Sequence, residues 1–520
     1  MTWRSLSARS LWASSVQSLA VVVPVVVVVA RVLSGLGWAT AAIVWTGAGV
    51  ALLTVAAVLV YDALRLRATR WRLTGDRLEL RSGIAVRQHR SVPRDRVRSV
   101  DLRADPLRRV LGLTVVKVGT GEHAGEQAEL TLDPLTRRDG EALRRALLPP
   151  DASAAGAEHG DGVLAELRWS WIRYAPLSVW AFTGGALVLG ALYKPLDALG
   201  VEAFSEETLR AAWQWVSGRP WVTVPLLVAG NVALGVLGSG LLFAESWARY
   251  RLEREPGRLR LSRGLLTSRS LTLEVRRLRG VELREPLLLR LGGGARVTAV
   301  ATGLGKAEEG ETEDVAALTP ALPRAEAARL AARVAALAPT GRAGAAAREV
   351  PEPVGHPRAA RRRRLVRALA GVAVLTAACL AWVSWAERQG WEAWAGGWVW
   401  LVPALALPAA LWLAVDSYRS LGHALGARHL VSRHGSVARR TVALDRAGIV
   451  GWTIRQSYGQ RRSGLLTVSA TTAAGAGHYD VLDVGHDDGL RLAAHAVPGL
   501  LDPFLVPVVG GDRPLVDAAR

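Results

Sequence analysis

Hydrophobic and polar positions alternate along this chain on two scales. On the long scale there are six apolar stretches, near residues 16–33, 39–61, 172–193, 221–244, 365–386 and 397–415. Each is close to the roughly 20 residues that a helix needs to cross a bilayer. The stretches come in three pairs, and an Arg-rich polar region follows each pair. On the short scale those regions alternate with period two. The runs of the first are Trp71–Thr74, Arg77–Arg81, Ala85–Val92, Val97–Arg103, Leu113–Gly119 and Ala128–Leu132, with turn formers at Gly75-Asp76, Ser82-Gly83 and Gly121. This pattern predicts an antiparallel sheet or a small barrel. Asp105-Pro106 before Leu107–Leu111, with Gly112 behind, predicts a short helix, and Glu285-Pro286 before Leu287–Leu291 repeats the device. The third region reads SYGQRRSG over Ser457–Gly464 and lacks the proline, so a different turn is expected there. Helical patterns at Pro134–Leu147, Pro323–Leu337 and Asp487–Ala496 close the three regions.

The polar regions are copies of one another. The ungapped shift that lays Gly83 on Gly435 also lays Gly112 on Gly464, Val116 on Val468 and Thr120 on Thr472. The shift that lays Gly83 on Gly264 brings Val100 to Val281, Gly112 to Gly293 and Val116 to Val297. Register kept over tens of residues marks an internal triplication, and these six glycines are its structural markers.

Composition then sets the class. Half of the 520 residues are apolar, the net charge is +20, and mean hydropathy is +0.20, as in a membrane protein with polar domains attached. The loops inside the pairs, Ser34–Trp38, Lys194–Pro220 and Glu387–Gly396, hold no net basic cluster. The flanks hold Arg65, Arg67 and Arg70; Arg249, Arg251 and Arg254; and Arg361–Arg364 with Arg367. By the positive-inside rule both termini and all three polar regions face the cytoplasm. Trp38, Trp169, Trp171, Trp221, Trp247, Trp391, Trp394 and Trp398 fall near segment ends and read as interfacial anchors. Asn231 is the one clearly polar side chain well inside a span and is expected to bond between helices. Arg31, Arg173 and Glu245 sit at segment ends, so no ionisable path crosses the spans and transport is disfavoured. Because the first apolar stretch runs through a tight turn at Ser34–Gly37 into the second, it reads as a membrane hairpin and not as a cleaved signal. Residues 149–162 and 339–360, rich in Ala, Gly and Pro, read as linkers, and the acidic stretch 305–314 as an exposed hairpin loop. The single cysteine, Cys379, allows no intrachain disulfide.

WRLTGDRLELRSG (71–83), VPRDRVRSVDL (92–102) and DPLRRVLGLTVVKV (105–118) resemble the bacterial pleckstrin-homology-like (PH-like) domain of YdbS/YdbT-type membrane proteins. The whole chain looks like a multi-domain member of that family, with the third copy the most divergent. The resemblance implies a mixed membrane protein: six transmembrane α-helices in three hairpins, each followed by a PH-like antiparallel β-barrel or sandwich with a C-terminal helix. The corresponding boundaries are hairpins at 1–63, 169–247 and 361–416, domains at 64–148, 248–338 and 417–505, linkers at 149–168 and 339–360, and a tail at 506–520. It further implies a bacterial inner-membrane location, no catalytic residues, and a protein partner such as a shorter single-domain relative, in a homo- or hetero-oligomer.

Chemistry is sparse. The histidines are scattered, and there is no HExxH, CxxC or nucleophile elbow, so no enzyme, metal or cofactor is expected. Arg81, Arg87, Arg90, Arg94, Arg96 and Arg98 crowd the first region. They are candidate contacts for anionic membrane lipid or for an acidic protein partner, although topology alone also places Arg there. The aromatic interleaving that reads single-stranded nucleic acid is missing, so no nucleic-acid partner is expected. The reading is a non-enzymatic scaffold, set in envelope maintenance, whose three tethered modules gain avidity from multivalency and make contact through sheet edges and Arg-rich faces. The alternative is a sensor of anionic lipids, with a transporter a distant third.

Overall fold

A computed structural model describes residues 3–7, 9–84, 86–97, 99–119, 129–147, 162–178, 190, 205–302, 316–337, 350–390 and 397–504. In module 1, β1 (Arg4–Ser5) leads into α1 (Ser10–Gly35) and α2 (Thr40–Ala68), which pack against each other. The chain returns as β2 (Arg70–Leu73), β3 (Arg77–Ser82) and β4 (Gln88–Pro93), and the sheet runs β1-β2-β3-β4. A 3-10 turn at Arg94–Arg96 precedes β5 (Ser99–Ala104), α3 (Pro106–Val110), β6 (Leu113–Gly119), β7 (Glu129–Thr136) and α4 (Arg137–Leu147). Alternation decides what is buried: Leu78 and Leu80 of β3 point inward and meet Val100, Val116, Leu132 and, from α4, Leu143 and Leu147. The last two, four apart, form the apolar stripe of α4. Gly140 lets α4 come close, since a Cβ there would lie 2.7 Å from Thr114 Cγ2. Ala327 and Gly489 hold the same place in the other closing helices.

Module 2 comprises β8 (Gly162–Glu166), α5 (Glu206–Gly218), α6 (Pro220–Trp247), β9 (Arg251–Glu255), β10 (Arg258–Arg263), β11 (Ser268–Glu274), β12 (Leu278–Pro286), α7 (Leu287–Leu291), β13 (Gly294–Ala301), β14 (Leu322–Pro323) and α8 (Arg324–Ala335). Module 3 comprises α9 (Arg358–Arg388), α10 (Leu401–Arg419), β15 (Gly422–Leu425), β16 (His429–His434), β17 (Ala438–Asp445), β18 (Ile449–Arg455), α11 (Tyr458–Arg462), β19 (Leu465–Thr472), β20 (His478–Gly485) and α12 (His486–Ala496). Three modules of like element order, built on antiparallel sheets, are therefore present. In each, the segment that precedes the membrane-length helices pairs with the first strand after them. Arg4 lies opposite Trp71, Ala165 opposite Leu252, and Val354 bridges to His423.

The triplication is written into the turns. Gly83, Gly264 and Gly435 have φ of +112°, +110° and +97°, and a Cβ would fall 1.8, 1.9 and 2.1 Å from the carbonyl oxygens of Val86, Thr267 and Ala438. Only glycine fits such a position. The turn expected to differ in module 3 keeps the short helix, as α11. A capping box replaces the proline: Ser457 Oγ accepts from Gln460 N, and the Gln460 side chain accepts from Ser457 N.

One expectation changes. The modules do not stand as separate barrels, because sheets continue from one module into the next. β5 pairs with β11 in a seven-stranded sheet, β7-β6-β5-β11-β10-β9-β8, and β12 pairs with β17. Period-two patterning specifies which face of a strand is buried, not which strand lies beside it. Among the described residues, four segments are long and apolar enough to cross a membrane: α2, α6, α9, and Gly397–Arg419, which contains α10. The described apolar part of α1, Val22–Gly35, is shorter. Most of the stretch expected at 172–193 lies outside the described residues, as do the acidic stretch, all of 149–161, residues 339–349 and the tail. The loop expected at Lys194–Pro220 contains α5, whose Ser205 cap accepts from Thr208 N at 3.2 Å with Glu206 and Glu207 in the first turn.

Candidate interaction surfaces

A strand at the border of a sheet presents unpaired N–H and C=O groups. Two such edges are used between modules here, in one register. β5 sets Ser99 opposite Leu273, Val100 opposite Thr272 and Arg103 opposite Arg269. β12 sets Gly280 opposite Leu444, Val281 opposite Ala443 and Arg284 opposite Arg440. In the repeat alignment these are the same pairs of positions. Both junctions thus put Arg directly across from Arg, an arrangement that repels. A single carboxylate resolves each. Asp101 Oδ2 accepts from Arg103 Nε at 2.8 Å and from Arg269 Nη2 at 3.0 Å. Glu282 Oε1 lies 2.9 Å from Arg284 Nε and 3.6 Å from Arg440 Nε. Both carboxylates are buried, at 6 % and 3 % exposure, so salt screens them little. Arg144 of α4 reaches across the first junction and donates to Thr272 Oγ1 at 3.1 Å.

The six arginines singled out in the sequence do different things. Arg81 stacks its guanidinium over Trp3 at 4.3 Å, beside Arg72 at 4.5 Å, and so holds the N-terminal segment on module 1. Arg87 is exposed in the turn after Gly83, Arg90 lies on β4, and Arg96 is exposed in the 3-10 turn. Arg98 lies outside the described residues. Arg94 donates to Gly75 O at 2.8 Å and to Ala146 O, tying the β2–β3 turn to the end of α4. Arg446, its repeat equivalent, donates to Gly426 O, Ala427 O, His495 O and Ala496 O. Arg94 is therefore engaged inside its own module. Asn231 is half-buried on α6.

A basic cleft of about 270 Å³ opens beside the first junction. Arg109, Arg137, Arg249, Arg260, Arg263 and Arg269 line it, against the one carboxylate of Glu141. Arg249, with φ of 55°, lies two residues past the end of α6, and Arg263 sits 4.1 Å over the ring of Trp247 at the end of that helix. Arg109 donates to Leu265 O, closing the cleft from the side of module 1. None of these six was a candidate site residue. The cleft exists only because β5 lies on β11, so its one signal in sequence is the basic flank that includes Arg249.

Module 3 carries a buried polar node. Asp483, 2 % exposed with φ of 55°, takes Arg363, Arg364 Nη2 at 3.1 Å and Gln460 Nε2 at 3.0 Å. His356 Nδ1 lies 3.2 Å from Asp483 O, and His423 Nδ1 lies 2.9 Å from His356 Nε2. Burial, followed by the neighbouring His423, pushes His356 down to about 4, and burial lowers His423 as well. The pair is neutral at pH 7. The repeat columns held the signal for Asp101, Glu282, Arg269 and Arg440, which coincide under the shifts already found. Nothing in the sequence singles out Asp483.

No cluster of three or more metal-ligating side chains occurs among the described residues. A family model described as a bacterial PH domain matches the chain three times, over 17–150, 200–338 and 364–496. The UPF0699 transmembrane protein YdbT of Bacillus subtilis (strain 168) is 19% identical over 443 residues, which covers 82% of this chain and 84% of that protein. No solved structure matches.

Proposed function

The chain belongs to the bacterial PH domain family, with three copies of the domain in one polypeptide, and from that premise we propose that it is a non-enzymatic, membrane-anchored scaffold. The observation that carries the reading is the repeated junction. Successive modules are joined edge to edge, in one register, through main-chain pairing and a buried Arg–carboxylate–Arg bridge. Such a construction holds its modules' surfaces in fixed succession for partners to meet. The test is purification of the tagged full chain from its host membranes in gentle detergent, followed by mass spectrometry. A stoichiometric protein, whether another species or differently tagged copies of this chain, supports the scaffold. A chain that always returns alone overturns it.

The bracketing strands support the membrane arrangement. β1 and β2 flank α1 and α2; β8 and β9 flank α6 and the stretch before it; Val354 and His423 flank α9 and α10. Both ends of each helical stretch meet one sheet, which supports an even number of bilayer crossings for each stretch. Three pairs of spans satisfy this, and the basic flanks favour the cytoplasmic face of the inner membrane for the modules.

The Arg-lined cleft favours a second reading, capture of an anionic lipid headgroup beside the end of α6. Full-length chain should retain anionic lipid through detergent purification, and Arg137→Gln with Arg249→Gln should lose most of it. Equal lipid retention by the double variant would sink this reading. The full chain is required, because an excised module 1 would leave the β5 edge bare.

A further inference from the structure

The edges that join modules recur, among the described residues, on the outer strands of the first and third modules. We infer that β18 of one chain pairs antiparallel with β4 of a second copy, in the register that joins modules within a chain. The inference rests on the scaffold reading and names one partner for it.

Position is the first argument. β4 is the repeat equivalent of β11 and β17, the strands that receive a neighbour, and β18 is the equivalent of β5 and β12, the strands that supply one. Among the described residues β4 ends its four-stranded sheet and β18 ends its three-stranded sheet. Burial is the second. β5 is buried at every residue but Arg103, whereas β18 leaves Val450 at 64 % and Ile454 at 40 % exposure. Val450, Trp452 and Ile454 alternate along one face, and β18 has neither the Lys nor the Pro that usually guards a bare edge. Its bulge lies between Ile449 and Gly451, leaving the remainder regular.

Side-chain chemistry is the third. Carried onto the terminal strands, the register sets Trp452 opposite Ser91, Ile454 opposite His89 and Arg455 opposite Gln88. The internal junctions oppose Arg to Arg and need Asp101 or Glu282 between them. Here Gln88 stands where Arg269 and Arg440 stand, and Thr453 stands where the carboxylates stand. The like-charge pair and its neutralising acid are both gone, one from each edge, so the two edges suit each other. β18 against an Arg-bearing edge of the internal type would bring Arg455 onto Arg with no acid. A β18-to-β4 contact is head-to-tail, so copies add into a ring or a filament.

The test uses full-length chains carrying Cys379→Ala. One tagged copy bears Ile454→Cys and a differently tagged copy bears His89→Cys; Trp452→Cys with Ser91→Cys forms a second pair. Mild oxidation in membranes should give mixed-tag dimers about tenfold above those from the offset pair Trp452→Cys with Val86→Cys, because a disulfide tolerates only a narrow Cα separation. Thr453→Pro should abolish self-association while module 3 keeps its hydrogen-exchange protection. Equal cross-linking by offset and in-register pairs overturns the inference. So does a β18 cysteine that cross-links to a different protein, or a wild-type chain that is monomeric in membranes. Stoichiometric recovery of other proteins without self-cross-linking would leave the scaffold standing and remove this partner; failure of both removes both.

Discussion

Modules 1 and 3 build one fold from sequences of very different legibility. Module 1 carries the glycine, proline and Arg signals openly. Module 3, the divergent copy, lacks the proline, yet among the described residues it buries more polar side chains. The contrast is sharpest where the last strand of each module bulges. In module 1 the bulge region holds Asp133, about a quarter exposed, which reaches Arg108 at 3.2 Å and Arg65 at 3.9 Å. In module 3 it holds Asp483, nearly inaccessible, which takes two arginines and a glutamine. A copy that diverges in sequence keeps its fold by exchanging backbone devices for side-chain ones, and this makes it more dependent on single residues.

Asp483→Ala breaks the comparison hardest. It leaves Arg363 and Arg364 partly buried without their counter-charge, and module 3 should lose about 3–5 kcal/mol. Asp133→Ala, at a wetter site, should lose under about 1 kcal/mol. Thermal unfolding of the full chain in detergent, with hydrogen exchange assigning the loss to a module, decides between them; equal effects would refute the contrast. At the junctions, Asp101→Ala should weaken protection of β5 and β11 by about 2–3 kcal/mol, since it leaves Arg103 facing Arg269 over a buried gap. Thr453→Ala, at the same position in module 3, should stay within about 0.5 kcal/mol in the isolated chain.

Acid separates the modules next. His356 and His423 are lowered in the folded chain, and His429 and His434 are lowered by burial too. The unfolded state therefore binds more protons below pH 6.5, and stability falls as pH falls. For His356 alone the loss between pH 6.5 and pH 5 is about 1.5 kcal/mol. Hydrogen exchange at β15 should speed up over that window while β6 of module 1 holds, and His356→Gln should flatten the slope in part. A module 3 as protected at pH 5 as at pH 7 would contradict this. The smallest effect separates the two clamps: Arg446→Gln should lose about 1–2 kcal/mol of module 3 stability, and Arg94→Gln, with fewer acceptors, less in module 1. Urea unfolding of the variants reads both.

Much of the fold was legible in the residues. The triplication, the short helices after Asp105 and Glu285 and the closing helices all follow from periodicity, caps and repeat register, which are local. The candidate surfaces were far less so. Arg94 belongs to the same Arg-rich run as Arg87 and cannot be told from it by composition. Only the turn at Gly75 and the end of α4, brought together by folding, make Arg94 a clamp. The Arg-lined cleft draws on residues from 109 to 269, and no local window contains it.

Sequence by itself determined that this is a membrane protein of three PH-like copies, because hydropathy, turn chemistry and repeat register act over distances shorter than one module. The tertiary structure alone decided that β5 lies on β11 and β12 on β17, and hence which carboxylates are buried between arginines and which edges remain open. Strand alternation encodes a face but no neighbour. The choice of neighbour is made by main-chain groups that are the same in every residue, and only the assembled sheet shows which of them are left unpaired.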